Sequence, residues 1–165
     1  CTIMVADCLP ILLCDASGRW VAAAHAGWRG LAGQGGVGVV ESTLAAVYAS
    51  NKALEPVDTA QTAPEIIAWL GPCIGPTAFE VGDEVRQAFV GSSPAAADCF
   101  VPVGPGKWWA NLPALARQRL QAAGVTAVYG NDGSAPWCTV NNPSRFFSHR
   151  RDRVSGRLAA CIWLG

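Results

Sequence analysis

The sequence predicts an α+β fold, a single layered domain over residues 1–165 in which a mixed or antiparallel sheet is covered by helices. Three observations support this prediction. The chain of 165 residues is 51% hydrophobic, which is sufficient for a real core in one domain. Short apolar runs between turn residues indicate strands, and longer periodic segments indicate helices. The two kinds of element follow one another without regular alternation, as expected for an α+β domain.

The first three predicted strands lie close together in the sequence. Cys1–Val5 is an apolar strand with which the chain begins. Ile11–Cys14 and Trp20–Ala24 flank the turn-like segment Asp15–Gly18, a pattern that predicts a β-hairpin.

The hairpin has a consequence for two reactive side chains. If its loop consists of two residues, Cys8 falls directly opposite His25, with their Cβ atoms about 5 Å apart. A bulge at Gly18 or Pro10 would slip this register, so closeness of Cys8 and His25 is the firmer expectation.

The remaining elements mix helices and strands. Asn111 is suited to cap a helix, Pro113 is tolerated in its first turn, and Gly124 would end it. Asp83 is suited to cap a shorter helix through Val90. The predicted elements after the hairpin are a helix over Gly38–Ser50, a surface connection over Asn51–Pro64, a strand over Glu65–Leu70, a helix from Asp83 to Val90, a loop over Gly91–Asp98, a helix from Asn111 to Ala123, and strands over Val125–Tyr129 and Leu158–Leu164.

Charge and hydropathy limit the classes of partner. Twelve basic and twelve acidic residues cancel, whereas a nucleic-acid-binding protein normally needs a net positive charge or a dense basic face. No apolar run approaches the roughly 20 residues that a membrane-spanning helix requires. We therefore expect neither nucleic-acid binding nor membrane insertion.

The cysteines and the start of the chain suggest a location and a length. Seven cysteines, an odd number, match no disulfide framework and no Cys-x-x-Cys zinc motif. Free thiols and the lack of a visible signal peptide favour the cytoplasm. The chain starts within a strand and without Met, so we expect that an N-terminal portion is missing.

Cys8 and His25 form the first candidate site. A thiol and an imidazole close together can share a metal ion or a proton. His25 is followed by Gly27-Trp28-Arg29-Gly30, which is predicted to be a polar, flexible loop at a strand end, where functional groups concentrate. The structural alternative is that Cys8 is a small buried residue and His25 a hydrogen-bonded core histidine.

The second candidate site is basic and aromatic. Five of the ten arginines lie between Arg145 and Arg157. Guanidinium groups bind phosphate or carboxylate with two hydrogen bonds, and Phe146 and Phe147 offer faces for a planar ring. The alternative is a solvated basic face in which Asp152 is a structural counter-ion.

Four segments resemble a known family. They are Ala-Asp-Cys-Leu-Pro-Ile-Leu from Ala6, Ala-His-Ala-Gly-Trp-Arg-Gly from Ala24, Trp-Leu-Gly-Pro-x-Ile-Gly-Pro-x-x-Phe-Glu-Val-Gly from Trp69, and Phe-Phe-Ser-His-Arg-Arg-Asp from Phe146. In this order they are similar to the YfiH-type laccase-domain family, also called multicopper polyphenol oxidase or purine nucleoside phosphorylase/adenosine deaminase. The resemblance covers Thr2–Leu164.

The resemblance implies a zinc site formed by one Cys and two His. Cys8 and His25 match two of these ligands, while the third belongs to an upstream Gln-Val-His segment that this chain lacks. We therefore expect the 165-residue chain to bind zinc weakly or not at all. Should it bind zinc tightly, His149 is the first candidate for a substitute ligand.

The resemblance also implies an enzyme of purine nucleosides, with phosphorolysis of adenosine, inosine and methylthioadenosine and deamination of adenosine. Cys8, His25 and Arg29 would be catalytic. Substrate and phosphate would be bound by the C-terminal segment, through Phe147, His149, Arg150 and Arg151. Arg29, followed by Arg150 or Arg151, is the expected phosphate ligand.

Other functions remain open at this level. A copper-dependent polyphenol oxidase would need many imidazoles, whereas the chain has two histidines. A hydrolase could use Cys8 as nucleophile and His25 as base. A peptidoglycan-editing role is a further alternative that the sequence does not exclude.

Overall fold

The computed structural model describes residues 1–52 and 65–165. The predicted α+β class is confirmed, with three sheets and five α-helices in these ranges. The predicted connection Asn51–Pro64 lies outside the described residues except for its first two, which end a helix. The strands are β1 (Thr2–Val5), β2 (Leu9–Asp15), β3 (Val21–Ala26), β4 (Ile66–Leu70), β5 (Glu80–Gly82), β6 (Phe100–Gly104), β7 (Lys107–Ala110), β8 (Ala127–Gly130) and β9 (Leu158–Cys161). The helices are α1 (Trp28–Ala32), α2 (Val39–Lys52), α3 (Asp83–Val90), α4 (Leu112–Ala122) and α5 (His149–Asp152), with short 3₁₀ helices at Pro94–Cys99 and Ala135–Trp137.

The central sheet has the strand order β3-β2-β4-β8. Its first three strands are antiparallel, and β8 is parallel to β4, so the sheet is mixed as predicted. The first and last strands of the chain, β1 and β9, form a separate antiparallel pair.

The predicted hairpin is confirmed, but the two-residue loop is wrong. The Asp15 N–H donates to the Trp20 carbonyl at 3.2 Å, which closes a four-residue loop, and the Asp15 carboxylate accepts hydrogen bonds from Ser17 and Arg19 in that loop. Pro10, and not Cys8, is therefore paired with His25.

The two faces of the central sheet differ in composition. The inner face carries fully buried aliphatic side chains from β2, β3 and β4, and these join one core with residues of α2 and α4. Burying one such side chain contributes about 1.5–3 kcal/mol. The outer face carries Pro10, Leu12, His25 and Trp69, as the two-residue period of strands requires.

The helices begin and end where local chemistry allows. The Asn111 side chain accepts a hydrogen bond from the Ala114 N–H at 3.0 Å, which confirms it as the cap of α4. Gly124 follows this helix with φ +86°, a conformation that favours glycine. Gly82, and not Asp83, is the N-terminal cap of α3, and Asp83 instead accepts from the Trp108 indole N–H at 2.6 Å.

Three features differ from the sequence predictions. The segment after His25 forms the short helix α1, not a flexible loop. The predicted loop Gly91–Asp98 contains most of a 3₁₀ helix. The three-stranded sheet of order β5-β7-β6 was not predicted.

Among the described residues, no helix combines the length and apolar character needed to cross a membrane.

Candidate functional site

The turn between β1 and β2 is built around the Asp7 side chain, which is buried at 9% exposure. One carboxylate oxygen accepts a hydrogen bond from the Thr139 hydroxyl at 2.6 Å, and the other accepts from the Arg150 backbone N–H at 2.6 Å. The Asp7 carbonyl accepts from the Ile74 N–H at 2.9 Å. One residue therefore joins four segments that are distant in the sequence.

Cys8 follows Asp7 and is half-buried. Its thiol lies against the turn between β3 and α1, because a Cβ placed on Gly27 would come within 3.0 Å of its Sγ. Burial raises the pKa of the Cys8 thiol, the Asp7 charge raises it further, and the Arg157 charge lowers it in part. Burial and the Asp7 charge therefore disfavour the thiolate form of Cys8.

His25 lies near the end of β3 with an exposed side chain. It is on the outer face, opposite Pro10. If this register is continued, Cys8 lies opposite Gly27, which is two residues after His25. Cys8 is then on the same face of the sheet as His25. The two side chains are diagonal neighbours at the rim of the sheet, in place of the predicted direct pair.

Cys8 and His25 have the donor chemistry of zinc ligands, since zinc prefers thiolate and imidazole. Within residues 1–52 and 65–165, however, no group of three or more His, Cys, Asp and Glu side chains is arranged to hold a metal ion. Zinc sites use three or four protein ligands. Cys8 and His25 alone are fewer than the ligands of a complete zinc site.

Arg29 lies on α1, immediately after the turn that contacts Cys8. Its exposed guanidinium stacks on the Trp28 ring, with the Cζ atom 4.3 Å from the ring centroid. This stacking holds the guanidinium plane while its N–H groups stay available to an anion.

The basic C-terminal segment forms α5, whose first turn is fixed from two sides. The Ser148 hydroxyl oxygen accepts from the Arg151 N–H at 3.2 Å, and Asp7 accepts from the Arg150 N–H. The hydrogen bond between Asp7 and the Arg150 N–H joins the two candidate sites, which the sequence analysis treats separately. The Arg150 guanidinium extends to the Glu80 carbonyl at 3.3 and 3.4 Å and lies over Phe79 at 5.7 Å.

Arg151 has a different environment from Arg150. Its guanidinium donates to the carbonyls of Thr139, Val140 and Phe146 and to both carboxylate oxygens of Asp152. Asp152 is therefore a structural counter-ion, as the alternative interpretation of the basic segment predicts. These contacts occupy the Arg151 guanidinium, whereas Arg150 keeps an exposed one.

The aromatic and imidazole side chains of this segment are accessible. Phe147 is 49% exposed, and its ring packs on Gly156, where a Cβ would come within 2.8 Å of the ring. His149 begins α5 and is exposed. Both are open to solvent, as substrate-binding residues would be.

Three residues of this region were not assigned from the sequence. Asp7 and Thr139 are joined by a buried hydrogen bond across 132 positions, for which no local pattern exists. Arg157 precedes β9, and the pairing of Leu158 with Val5 brings it beside the turn that contains Asp7 and Cys8. Its position in the arginine-rich run was the one available signal.

A cavity of about 490 Å³ opens on the outer face of the central sheet. Pro10, Leu12 and Trp69 form its floor, and Arg145 and Phe146 lie at one side. Arg145 stacks over Phe146 at 5.0 Å. The cavity is therefore mainly apolar and has a cationic edge next to the residue paired with His25.

The sequence profile of the multi-copper polyphenol oxidoreductase laccase family matches residues 1–165. The chain belongs to this family. The resemblance to the YfiH-type laccase domain is therefore confirmed. Within this laccase family, a Pseudomonas aeruginosa protein named purine nucleoside phosphorylase is 50% identical over 99% of this chain and 60% of its own length. The Escherichia coli protein named purine nucleoside phosphorylase YfiH is 47% identical over 99% of this chain and 59% of its own length.

Solved structures of the laccase family agree with this fold. A crystal structure of a Neisseria meningitidis protein matches with a TM-score of 0.83 and 48% identity, over 99% of this chain and 60% of the other. YlmD from Geobacillus stearothermophilus matches with a TM-score of 0.75 and 31% identity, over 96% of this chain and 54% of the other. The chain thus spans about three fifths of the length of the curated relatives it matches.

Proposed function

We propose that the protein acts on purine nucleosides as a phosphorylase, with the Cys8–His25 rim and α5 as the two halves of its site. The observation that carries this proposal is the hydrogen bond from the Arg150 N–H to Asp7, because it brings the basic segment to the residue next to Cys8. The names of the relatives support the same activity. Adenosine, inosine and methylthioadenosine are the proposed substrates.

In phosphorolysis, an oxygen of inorganic phosphate forms a bond to the anomeric carbon of the ribose. The bond from this carbon to the base nitrogen breaks, and the base leaves with the electron pair and takes up a proton. Arg29 is the proposed phosphate ligand, since its stacked guanidinium can donate two parallel hydrogen bonds. Arg150 is the second, and Phe147 and His149 face the nucleoside.

Cys8 and His25 are proposed as two ligands of a zinc ion, with the third supplied from outside the described residues. Bound zinc would lower the pKa of a water molecule towards about 7, which is the chemistry that deamination of adenosine requires. This finer activity therefore depends on a completed ligand set. Copper chemistry of the laccase type is less well supported, because the chain contains two histidines.

A cysteine hydrolase is disfavoured by the environment of Cys8. A thiol nucleophile needs a lowered pKa, whereas burial and Asp7 raise the pKa of Cys8. Labelling with iodoacetamide separates the two functions. A zinc-bound Cys8 is protected until a chelator is added, and a free nucleophile reacts at once.

The direct test measures phosphate-dependent release of base from inosine and adenosine. It compares the 165-residue chain with the same chain extended to the length of its relatives. We expect turnover and about one zinc per molecule in the extended protein, and weak zinc binding in the 165-residue chain. The double substitution Cys8→Ala/His25→Ala should remove the zinc. Unchanged zinc content in this variant, or base release that does not depend on phosphate, would contradict the proposal.

A further inference from the structure

Asp7 is adjacent to Cys8 in sequence and bonded to α5 in space, and we propose that it is a positioning residue for phosphate binding. It fixes the backbone of Arg150 relative to Cys8 and thereby sets the affinity of the site for phosphate. This inference rests on the proposed phosphorylase function. It assigns no contact between Asp7 and the substrate.

Hydrogen bonds within the fold occupy both carboxylate oxygens of Asp7. Each of its carboxylate oxygens already accepts a bond of 2.6 Å, one from Thr139 and one from the Arg150 N–H. Thr139 is fully buried and Asp7 nearly so. A carboxylate held in this way orients its partners and does not reach a ligand in solvent.

The backbone of Asp7 supports the same conclusion. Its φ of +90° lies in the left-handed region, which is unfavourable for a residue with a Cβ. Glycine would adopt this conformation without strain. An aspartate here therefore stabilises the fold or the site through its side chain, since its backbone conformation is unfavourable.

Apart from this anchor, the contacts of Arg150 are weak, and they include its position over the Phe79 ring at 5.7 Å. Its guanidinium makes two long hydrogen bonds, of 3.3 and 3.4 Å, to one exposed carbonyl, that of Glu80. Such bonds are weak and exchange with water. The position of the Arg150 side chain is therefore set mainly by its backbone, which Asp7 holds.

The test compares three substitutions in the chain extended to the length of its relatives. Asp7→Gly removes the carboxylate and relieves the backbone strain, which favours folding. Asp7→Asn keeps both contacts, because its amide oxygen can accept from Arg150 and its NH₂ can donate to the Thr139 oxygen. Thr139→Val is the matched control, since it removes a hydrogen bond to the same carboxylate and leaves the contact with Arg150. Asp7→Ser, whose side chain is too short to reach the Arg150 N–H, replaces Asp7→Gly if that variant is insoluble.

We expect Asp7→Gly to raise the KM for phosphate about tenfold, the effect of losing one fixed hydrogen bond, with a smaller change in kcat and unchanged zinc content. Asp7→Asn and Thr139→Val should stay within about threefold of the unsubstituted protein. Exchange of the Arg150 amide hydrogen, measured by NMR in the 165-residue chain, should accelerate in Asp7→Gly and not in Thr139→Val.

Equal increases of KM in Asp7→Gly and Thr139→Val would overturn the inference, because a purely structural role affects both. So would unchanged exchange at Arg150 in Asp7→Gly. Absence of phosphorolysis in the unsubstituted protein would refute the proposed function instead, and with it the role in phosphate binding. The exchange experiment would then still decide whether Asp7 holds α5.

Discussion

The inner and outer faces of the central sheet are made by alternate residues of the same strands, yet they serve different purposes. On β2, Leu9, Ile11 and Leu13 point into the core, while Pro10 and Leu12 line the outer cavity. Cys8 immediately precedes this strand and lies on the outer side of the sheet. A single strand therefore contributes stability through one face and candidate chemistry through the other, so substitutions on adjacent residues should separate the two.

The largest expected effect is on the free energy of unfolding, and it compares two neighbouring leucines of β2. Leu13 is 1% exposed on the inner face, so Leu13→Ala should lower the free energy of unfolding by about 2–5 kcal/mol. Leu12 is half-buried on the outer face, and Leu12→Ala should cost less than half as much. Chemical denaturation measures both variants. Equal losses would show that the outer face is packed as tightly as the inner one.

Substitutions of two arginines should separate an effect on activity from an effect on stability. Arg29→Lys keeps the charge but loses the planar fork, so phosphorolysis should fall by about 2–3 kcal/mol in kcat/KM, with deamination less affected. Arg151→Lys should lower the Tm, because a lysine cannot replace the hydrogen bonds to Thr139, Val140 and Phe146. Kinetics and thermal unfolding are measured on both variants. Loss of phosphorolysis in Arg151→Lys at an unchanged Tm would identify Arg151 as the phosphate ligand.

Two glycines near His25 provide a finer comparison. A Cβ at Gly27 would lie 3.0 Å from the Cys8 sulfur, so Gly27→Ala should displace the thiol and weaken zinc binding by roughly tenfold. A Cβ at Gly30 would lie 3.7 Å from the His25 carbonyl, an ordinary contact, so Gly30→Ala should leave zinc binding unchanged. Competition with a chelator in the extended protein measures the affinities. Similar affinities in the two variants would argue against Cys8 as a ligand.

The smallest expected effect is on the pH dependence of stability, through Asp15, a buried charged residue at the end of β2. Burial raises the pKa of Asp15, but hydrogen bonds from Arg19 and Ser17 outweigh it and lower the pKa to about 2. Because the folded state has the lower pKa, the carboxylate stabilises the protein above about pH 4, and this contribution is lost as the pH falls towards 2. Asp15→Asn should make stability less dependent on pH in this range. Denaturation at pH 2, 4 and 6 tests it, and an unchanged slope would contradict the assignment.

The sequence predicted most of the fold because its signals are local. The cap Asn111, the stop Gly124 and the apolar runs of β2 and β4 act within a few residues. The hairpin register was wrong because Asp15–Gly18 is compatible with loops of two or four residues, and side-chain bonds to Asp15 select the longer one. The three-stranded sheet was not predicted because Pro102 lies within β6, and a proline normally argues against a strand. The proline is tolerated because β6 is at the edge of its sheet.

The candidate site was predictable in its residue types but not in its assembly. Cys8, His25 and Arg29 were identified from their motifs, and the motifs agree with the family that the comparisons show. Their metal and substrate roles remain predictions. The contacts of Asp7 with Thr139 and Arg150 could not be predicted, because they join positions that are 132 and 143 residues apart.

The pairing of β1 with β9 determines when the site can form during folding. The amino group of Cys1 donates to the carbonyl of Ile162, 161 positions away, and closing a loop of this length costs about 4–5 kcal/mol of chain entropy. Contacts of such long range form late, after the local hairpin and helices. Because Asp7 lies two residues after the end of β1, and Arg150 and Arg157 precede β9, we expect the site to assemble last. During synthesis on the ribosome, the hairpin and α2 can fold first, whereas the proposed phosphate-binding site can form only once β9 has emerged.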